Sequence, residues 1–269
     1  MISLKLSNGI EIPQIGFGTF KIPDDTAAEA VKTALEAGYR HIDTAAIYRN
    51  ENGVGKGIKE SGIPRNEIFL TSKLWNDDQG YDTALKAFDE SLKKLGTDYL
   101  DLYLIHWPKA KNKESWKALE KVYKDGRVKS IGVSNFKEHH LDDLLTEAEI
   151  IPMINQVELH PQFPQKEIRK YCMEKGIIVE AWASLMQGQI FDKKIVIQIA
   201  EKHGKTVSQV GIRWAVQNGI VTIPKSTHIQ RIKENLNVFD FELDQDDMLK
   251  MEELNKGIRI GRDPDKIDF

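Results

Sequence analysis

The 269-residue sequence has a single cysteine, Cys172, so an internal disulfide is excluded and a reducing, cytosolic setting is expected. No apolar run approaches the ~20 residues of a membrane span, and the opening stretch MISLKLSNG has no apolar core of a secretory leader. Charge of one sign is also scarce. The 38 basic and 41 acidic residues leave a formal net charge of −3, too small a field to draw in nucleic acid or an anionic membrane. No linker, low-complexity tract or charge run divides the chain, so residues 1–269 are expected to form one domain. With 41% hydrophobic and 29% charged residues the composition is that of a globular protein with ample core material.

What the chain does have is a cycle, repeated about eight times, in which a short aliphatic run is followed by a segment of helical period ending near glycine. The runs lie at 15–18, 41–43, 68–71, 100–106, 130–134, 153–157, 177–182 and 221–224. Helical segments are expected at 26–37, 54–60, 83–95, 115–124, 141–148, 166–175, 194–202 with 207–217, and 229–237. Eight strands with crossover helices predict an α/β fold, a closed (β/α)8 TIM barrel. Asn8-Gly9 between Leu4-Lys5-Leu6 and Glu11-Ile12 predicts an N-terminal β-hairpin capping the barrel floor, and residues 244–255 predict an extra C-terminal helix.

In such a barrel the working face is formed by the C-terminal ends of the strands and the loops after them. Asp43 ends the second expected strand, Tyr48 follows just beyond it, Lys73 ends the third strand and His106 ends the fourth. Each taken singly has an ordinary structural reading, as a cap, a loop aromatic, a solvated lysine or a core histidine. Together at one rim they suggest chemistry. A tyrosine with a reference pKa of about 10 is a poor general acid at neutral pH unless a cation stabilises its phenolate. A unit charge about 4 Å away is worth about 4 kcal/mol at an effective dielectric of about 20, and Asp43 would keep Lys73 charged despite burial. Phe20, Trp75 and Trp107 crowd the same rim, and a polar tetrad in an aromatic cup suits a small carbonyl compound.

Two familiar nucleotide motifs fail. Gly16-Phe17-Gly18-Thr19-Phe20-Lys21 has Lys21 where a dinucleotide-binding turn needs its third glycine, and Gly55-Lys56 lacks both the upstream glycine and the following hydroxyl of a phosphate loop. A better anion site lies between the eighth run and its helix, where Lys225, Ser226 and Arg231 surround a helix N-terminus.

Along nearly its whole length the chain resembles the aldo-keto reductase family. The resemblance rests on Gly38 through Gly55 with Asp43, Tyr48 and Glu51 in place, on Lys129-Ser130-Ile131-Gly132-Val133-Ser134-Asn135-Phe136, and on Ile223-Pro224-Lys225-Ser226 with Arg231 and Asn235. It implies NADPH bound in extended form across the rim, with Tyr48 as general acid, Lys73 and Asp43 tuning it, and His106 orienting the carbonyl. It further implies that Ser134, Asn135 and Gln156 hold the carboxamide, that Trp182 stacks under the nicotinamide, and that Lys225, Ser226 and Arg231 grip the 2′-phosphate. Glu234 and Asn235 match contacts to the adenine, and Thr19, Leu185 and Thr227 fall among the implied cofactor contacts. Phe20, Trp75 and Trp107, with Tyr48 and His106, are the implied substrate contacts. No metal is implied.

The chain departs from the family pattern at Ala183-Ser184, where the hydroxyl expected at 183 is absent, and at Phe20, where larger relatives often carry tryptophan. The loop 108–114 is short and little chain remains beyond the last helix to fold over the rim, so an open pocket for small aldehydes or ketones is expected. The small microbial branch of the family, with its glyoxal, methylglyoxal and diketogluconate reductases, is the most similar, and its members are commonly monomers. A regulatory subunit that binds NADPH with little turnover is the alternative, disfavoured by the intact tetrad. A zinc hydrolase using Glu158 and His160 is weaker still, for no strand carries a His-x-His pair.

Overall fold

Asn8 and Gly9 reverse the chain between β1 (Ser3–Lys5) and β2 (Glu11–Pro13), with Gly9 at φ 89°, a left-handed conformation that costs glycine nothing. The structure, a computed structural model, describes residues 2–268. Beyond the hairpin the eight expected strands form in order: β3 (Phe17–Gly18), β4 (His41–Asp43), β5 (Phe69–Leu74), β6 (Leu102–Ile105), β7 (Ile131–Ser134), β8 (Ile154–Glu158), β9 (Ile178–Trp182) and β10 (Val221–Thr222). Each pairs in parallel with its sequence neighbour, as right-handed crossovers through helices require. A parallel bridge between Ile15 and Thr222 joins the first strand region to the last. Thr222 N–H donates to Gln14 O at 2.9 Å and Gly16 N–H to Thr222 O at 2.8 Å, closing the TIM barrel.

The helices form for local reasons. In α3 (Tyr81–Leu95) the apolar residues Ala84, Phe88, Leu92 and Leu95 recur on one face and are buried, and Gly96 at φ 64° stops the helix. In α8 (Val207–Gln217) Thr206 and Gln209 form a capping box, each side chain accepting from the other's backbone N–H. The remaining barrel helices are α1 (Asp24–Glu36), α2 (Glu51–Glu60), α4 (Asn112–Lys124), α5 (Glu138–Leu145), α6 (Lys166–Glu174), α7 (Lys194–His203) and α9 (Ile229–Leu236), and α10 (Gln245–Glu252) is the extra C-terminal helix. Three of them start a full three residues earlier than apolar periodicity indicates, at Glu51, Asn112 and Glu138, because their first turns are polar and carry no periodic signal. No helix among the described residues is long and apolar enough to cross a membrane.

One expectation is corrected. The short stretch after α10 does fold over the C-terminal rim. Ile260 and Gly261 donate their N–H groups to Glu158 at 2.5 and 3.1 Å, and Lys137 bridges Asp263 and Asp265, both at 2.5 Å. Lys109 Nζ donates to Ile267 O at 3.4 Å, so the tail is tied successively to the ends of β8, β7 and β6. The interactions span more than a hundred residues of sequence and involve polar groups alone, which apolar periodicity does not register.

Candidate active site

Alternation along a strand places residues i and i+2 on one face, so His41 with Asp43 and Thr71 with Lys73 share the inner face of the barrel. Lys73 Nζ donates to both carboxylate oxygens of Asp43, at 2.6 and 2.8 Å, and to Thr44 O at 2.9 Å. Neither Lys73 nor Asp43 is more than 1% exposed. Burial opposes charge on Lys73, but the adjoining Asp43 carboxylate and Tyr48 hold it above the ordinary lysine range. The same ammonium is hydrogen-bonded to the Tyr48 phenol and stands 5.1 Å from the centre of its ring. Thus the carboxylate, ammonium and phenol meet as the sequence predicts.

The electrostatic balance differs from expectation. Burial raises the Tyr48 phenol above its usual range, Lys73 opposes the rise, and Asp43 adds to it. The cation offsets only part of the desolvation because Asp43 neutralises much of its field. Tyr48 therefore carries its proton at neutral pH, and Lys73 lowers the cost of releasing it. His106, buried at the end of β6, is held neutral by desolvation and by Lys73, and its Nδ1 has no hydrogen-bond partner among the described residues. Its ring meets Tyr48 and Trp75 edge-on, at 5.8 and 5.3 Å, and lies nearly parallel to Trp107. Phe20, half exposed, lies 5.0 Å from the Tyr48 ring. Of the three expected aromatic walls, Phe20 borders the phenol, and Trp75 and Trp107 border His106.

The expected cofactor residues fall into two groups. Around the strand ends, Trp182 donates its indole N–H to Asn135 Oδ1 at 2.9 Å, and Asn135 Nδ2 donates to His106 O and to Ser134 Oγ. Ser134 Oγ donates to Gln156 O at 2.9 Å. Gln156 spends its amide hydrogens inside the barrel, on Asp43 and Glu180, leaving its carbonyl oxygen as its means of serving a ligand. Thr19 is wholly buried, and its hydroxyl donates to Asp43 O, which holds β3 against β4. Leu185 is half-buried beside the left-handed residues Ala183 and Met186.

The second group surrounds α9, whose N-terminus has no side-chain cap and so leaves backbone N–H groups for an anion. Lys225, Thr227 and Arg231 are exposed there, and Ser226 Oγ accepts from His228 N–H at 3.1 Å. Glu234 accepts from Gln230, and Asn235 is buried on the inner face of the helix.

The parts played by two carboxylates escaped the sequence reading. Glu158 is fully buried and accepts from His160 as well as from the tail, donors that hold its carboxyl below the usual range against the pull of desolvation. The tail backbone passes so close to the indole of Trp182 that a Cβ on Gly261 would collide with it. Glu180 lies beneath Asp43, and burial pushes its carboxyl up to about 8. A charged residue inside an otherwise apolar strand was the signal available for it.

The profile of the Aldo/keto reductase family matches residues 14–256. The chain belongs to the aldo/keto reductase family. It is accordingly an oxidoreductase, and this reductase is 59% identical to a protein named glyoxal reductase from Bacillus subtilis (strain 168), an alignment covering 99% of this chain and 98% of that one. Among solved structures, the aldo-keto reductase MGS-M4 from a Medee basin deep-sea metagenome library superposes with a TM-score of 0.97 at 49% identity, covering 99% of this chain and all of that one. A mutant of Gox0644 in complex with NADPH gives a TM-score of 0.95 at 46% identity, covering 100% of this chain and 99% of that one.

Proposed function

We propose that this reductase uses NADPH to convert small aldehydes, and some ketones, to alcohols, with Tyr48 as proton donor. The observation that carries the reading is Lys73 held between Asp43 and the Tyr48 phenol at the ends of adjacent strands. NADPH, when bound, supplies the hydride to the carbonyl carbon. The Tyr48 hydroxyl gives its proton to the carbonyl oxygen, and Lys73 stabilises the phenolate left behind. His106, held neutral and edge-on to the Tyr48 ring, would orient that oxygen. Phe20 beside Tyr48, and Trp75 and Trp107 beside His106, would wall the substrate in with aromatic faces.

The residues fit the cofactor. The uncapped α9 N-terminus with Lys225, Ser226 and Arg231 suits the 2′-phosphate, with Thr227, Glu234 and Asn235 beside it for the adenosine end. Ser134, Asn135 and Gln156 offer carboxamide contacts beside the half-buried Trp182, and Leu185 and Thr19 border that strip. The missing hydroxyl at Ala183 leaves backbone groups to serve the pyrophosphate there. The similarity to a protein named glyoxal reductase supports a substrate of the glyoxal class.

Replacing Tyr48 with Phe is expected to lower kcat by about 10²- to 10⁴-fold, the usual worth of general acid catalysis, while leaving NADPH binding by fluorescence titration nearly intact. Wild-type turnover by Y48F would end the proton-donor role. Steady consumption of NADPH with a panel of small aldehydes separates this reading from a binding protein that does not turn over.

A further inference from the structure

Beneath Lys73 the barrel encloses a second carboxyl that the proposed reaction does not use. Glu180 on β9 and Gln156 on β8 are register partners, and the Gln156 amide donates one hydrogen to Glu180 Oε2 and one to Asp43 Oδ2, each at 2.9 Å. Glu180 Oε1 accepts no hydrogen bond among the described residues and lies 3.6 Å from His41 Nε2, which is 3.3 Å from Thr71 Oγ1. All five side chains are sealed from solvent.

Two carboxyls share one amide and are otherwise served unequally. Asp43 receives both Lys73 contacts in addition to Gln156, whereas Glu180 receives the amide alone. A buried carboxylate needs donors on both oxygens and a charge partner, and only Asp43 has them. Were Glu180 ionised against a charged His41, the pair would close to hydrogen-bonding distance, and at 3.6 Å it has not. The proton therefore resides on Glu180, and Asp43 carries the negative charge. Burial and the Asp43 charge act in the same direction on that carboxyl, and desolvation keeps His41 neutral, down to about 3.

We propose that Glu180 is a positioning residue for the reduction: its uncharged carboxyl leaves Asp43 as the single negative partner beneath Lys73, so the ammonium keeps its field for the Tyr48 phenol. The groups facing Glu180 are His41 and Asp43 on β4, Thr71 and Lys73 on β5 and Gln156 on β8, while its β10 register partner is Val221. A second negative charge there would raise both Lys73 and Tyr48, since Glu180 lies close enough to act on each, and the phenol would part with its proton less readily.

The inference rests on Tyr48 acting as the acid, and three readouts on wild type and E180Q test it. The reduction rate of the wild type should fall along an alkaline limb set by loss of the Glu180 proton, and E180Q should displace that limb upward by roughly one pH unit or more. Superimposable profiles overturn the proposal. Because the folded carboxyl is raised above its unfolded value near 4.5, the folded protein binds more protons there. Wild-type melting temperatures should thus decline as pH rises between the two values, and E180Q should lack that decline. Equal slopes overturn it. The wild type should also show the infrared carbonyl band of a buried protonated acid at neutral pH, a band that needs no substrate and no active enzyme. Its absence overturns the proposal even if E180Q fails to fold. A Y48F enzyme that still turned over would defeat the proton-donor reading while leaving the band and the melting slope as measured. An inactive Y48F with an unshifted E180Q profile would defeat Glu180's part alone.

Discussion

Lys73 and Lys137 each make two short contacts with carboxylate oxygens, at 2.6 and 2.8 Å for the first and 2.5 Å twice for the second. Lys73 is wholly buried, whereas the Lys137 side chain is 27% exposed and its partners Asp263 and Asp265 more so. Distance alone does not rank them. Inside the barrel, water cannot replace a lost partner, so the pair is all or nothing; on the rim, solvent and salt substitute for either member at small cost. In the proposed reaction the interior pair serves chemistry, and the rim pair fastens a tail.

Breaking the interior pair should have the largest effect. Lys73→Met leaves Asp43 charged and buried with only Gln156, an expected loss of about 3–5 kcal/mol in urea unfolding together with loss of turnover. A stability within error of wild type would put Lys73 in the same class as Lys137. Glu158→Gln is intermediate, because a buried carboxylate here holds an exposed segment. It should cost about 1–3 kcal/mol of protection at the Ile260 and Gly261 amides in hydrogen exchange, with the barrel amides little changed. Acid should imitate it. The Glu158 carboxyl sits below its unfolded value near 4.5, so its contribution is complete above that pH and disappears as pH falls through the lower folded value. Lys137→Ala should have the smallest effect, about 0.2–1 kcal/mol at low salt by thermal melting, shrinking as salt is added. A salt-independent loss would mean the tail's charges are less exposed than their areas indicate.

The barrel was legible because its signals are local. Apolar runs and helical periods located the eight barrel strands and their α-helices, and the tetrad stood out because Asp43, Lys73 and His106 each lie at the C-terminal end of a strand. β3 and β10 were the least complete, at two residues each, because Pro224 and the turn at Thr19 end their ladders early. What local pattern could not convey was pairing across the chain. Glu158 reads only as a weak zinc-ligand candidate until Ile260, 102 residues later, is seen to donate to it. Glu180 reads as an odd residue in an apolar strand until it and Asp43 are seen to share the Gln156 amide. The sign of the Tyr48 shift was likewise hidden, since it depends on how far Asp43 quenches Lys73 against the depth of burial.

The seam between Ile15 and Thr222 has a consequence for how the protein is made. Residue 15 leaves the ribosome early and waits for more than two hundred others before its partner emerges, so the ring stays an open fan throughout most of synthesis. Until that last stitch, the lysine and aspartate at its heart are wet and only weakly joined. The enzyme's dry interior is thus among the final things its chain acquires.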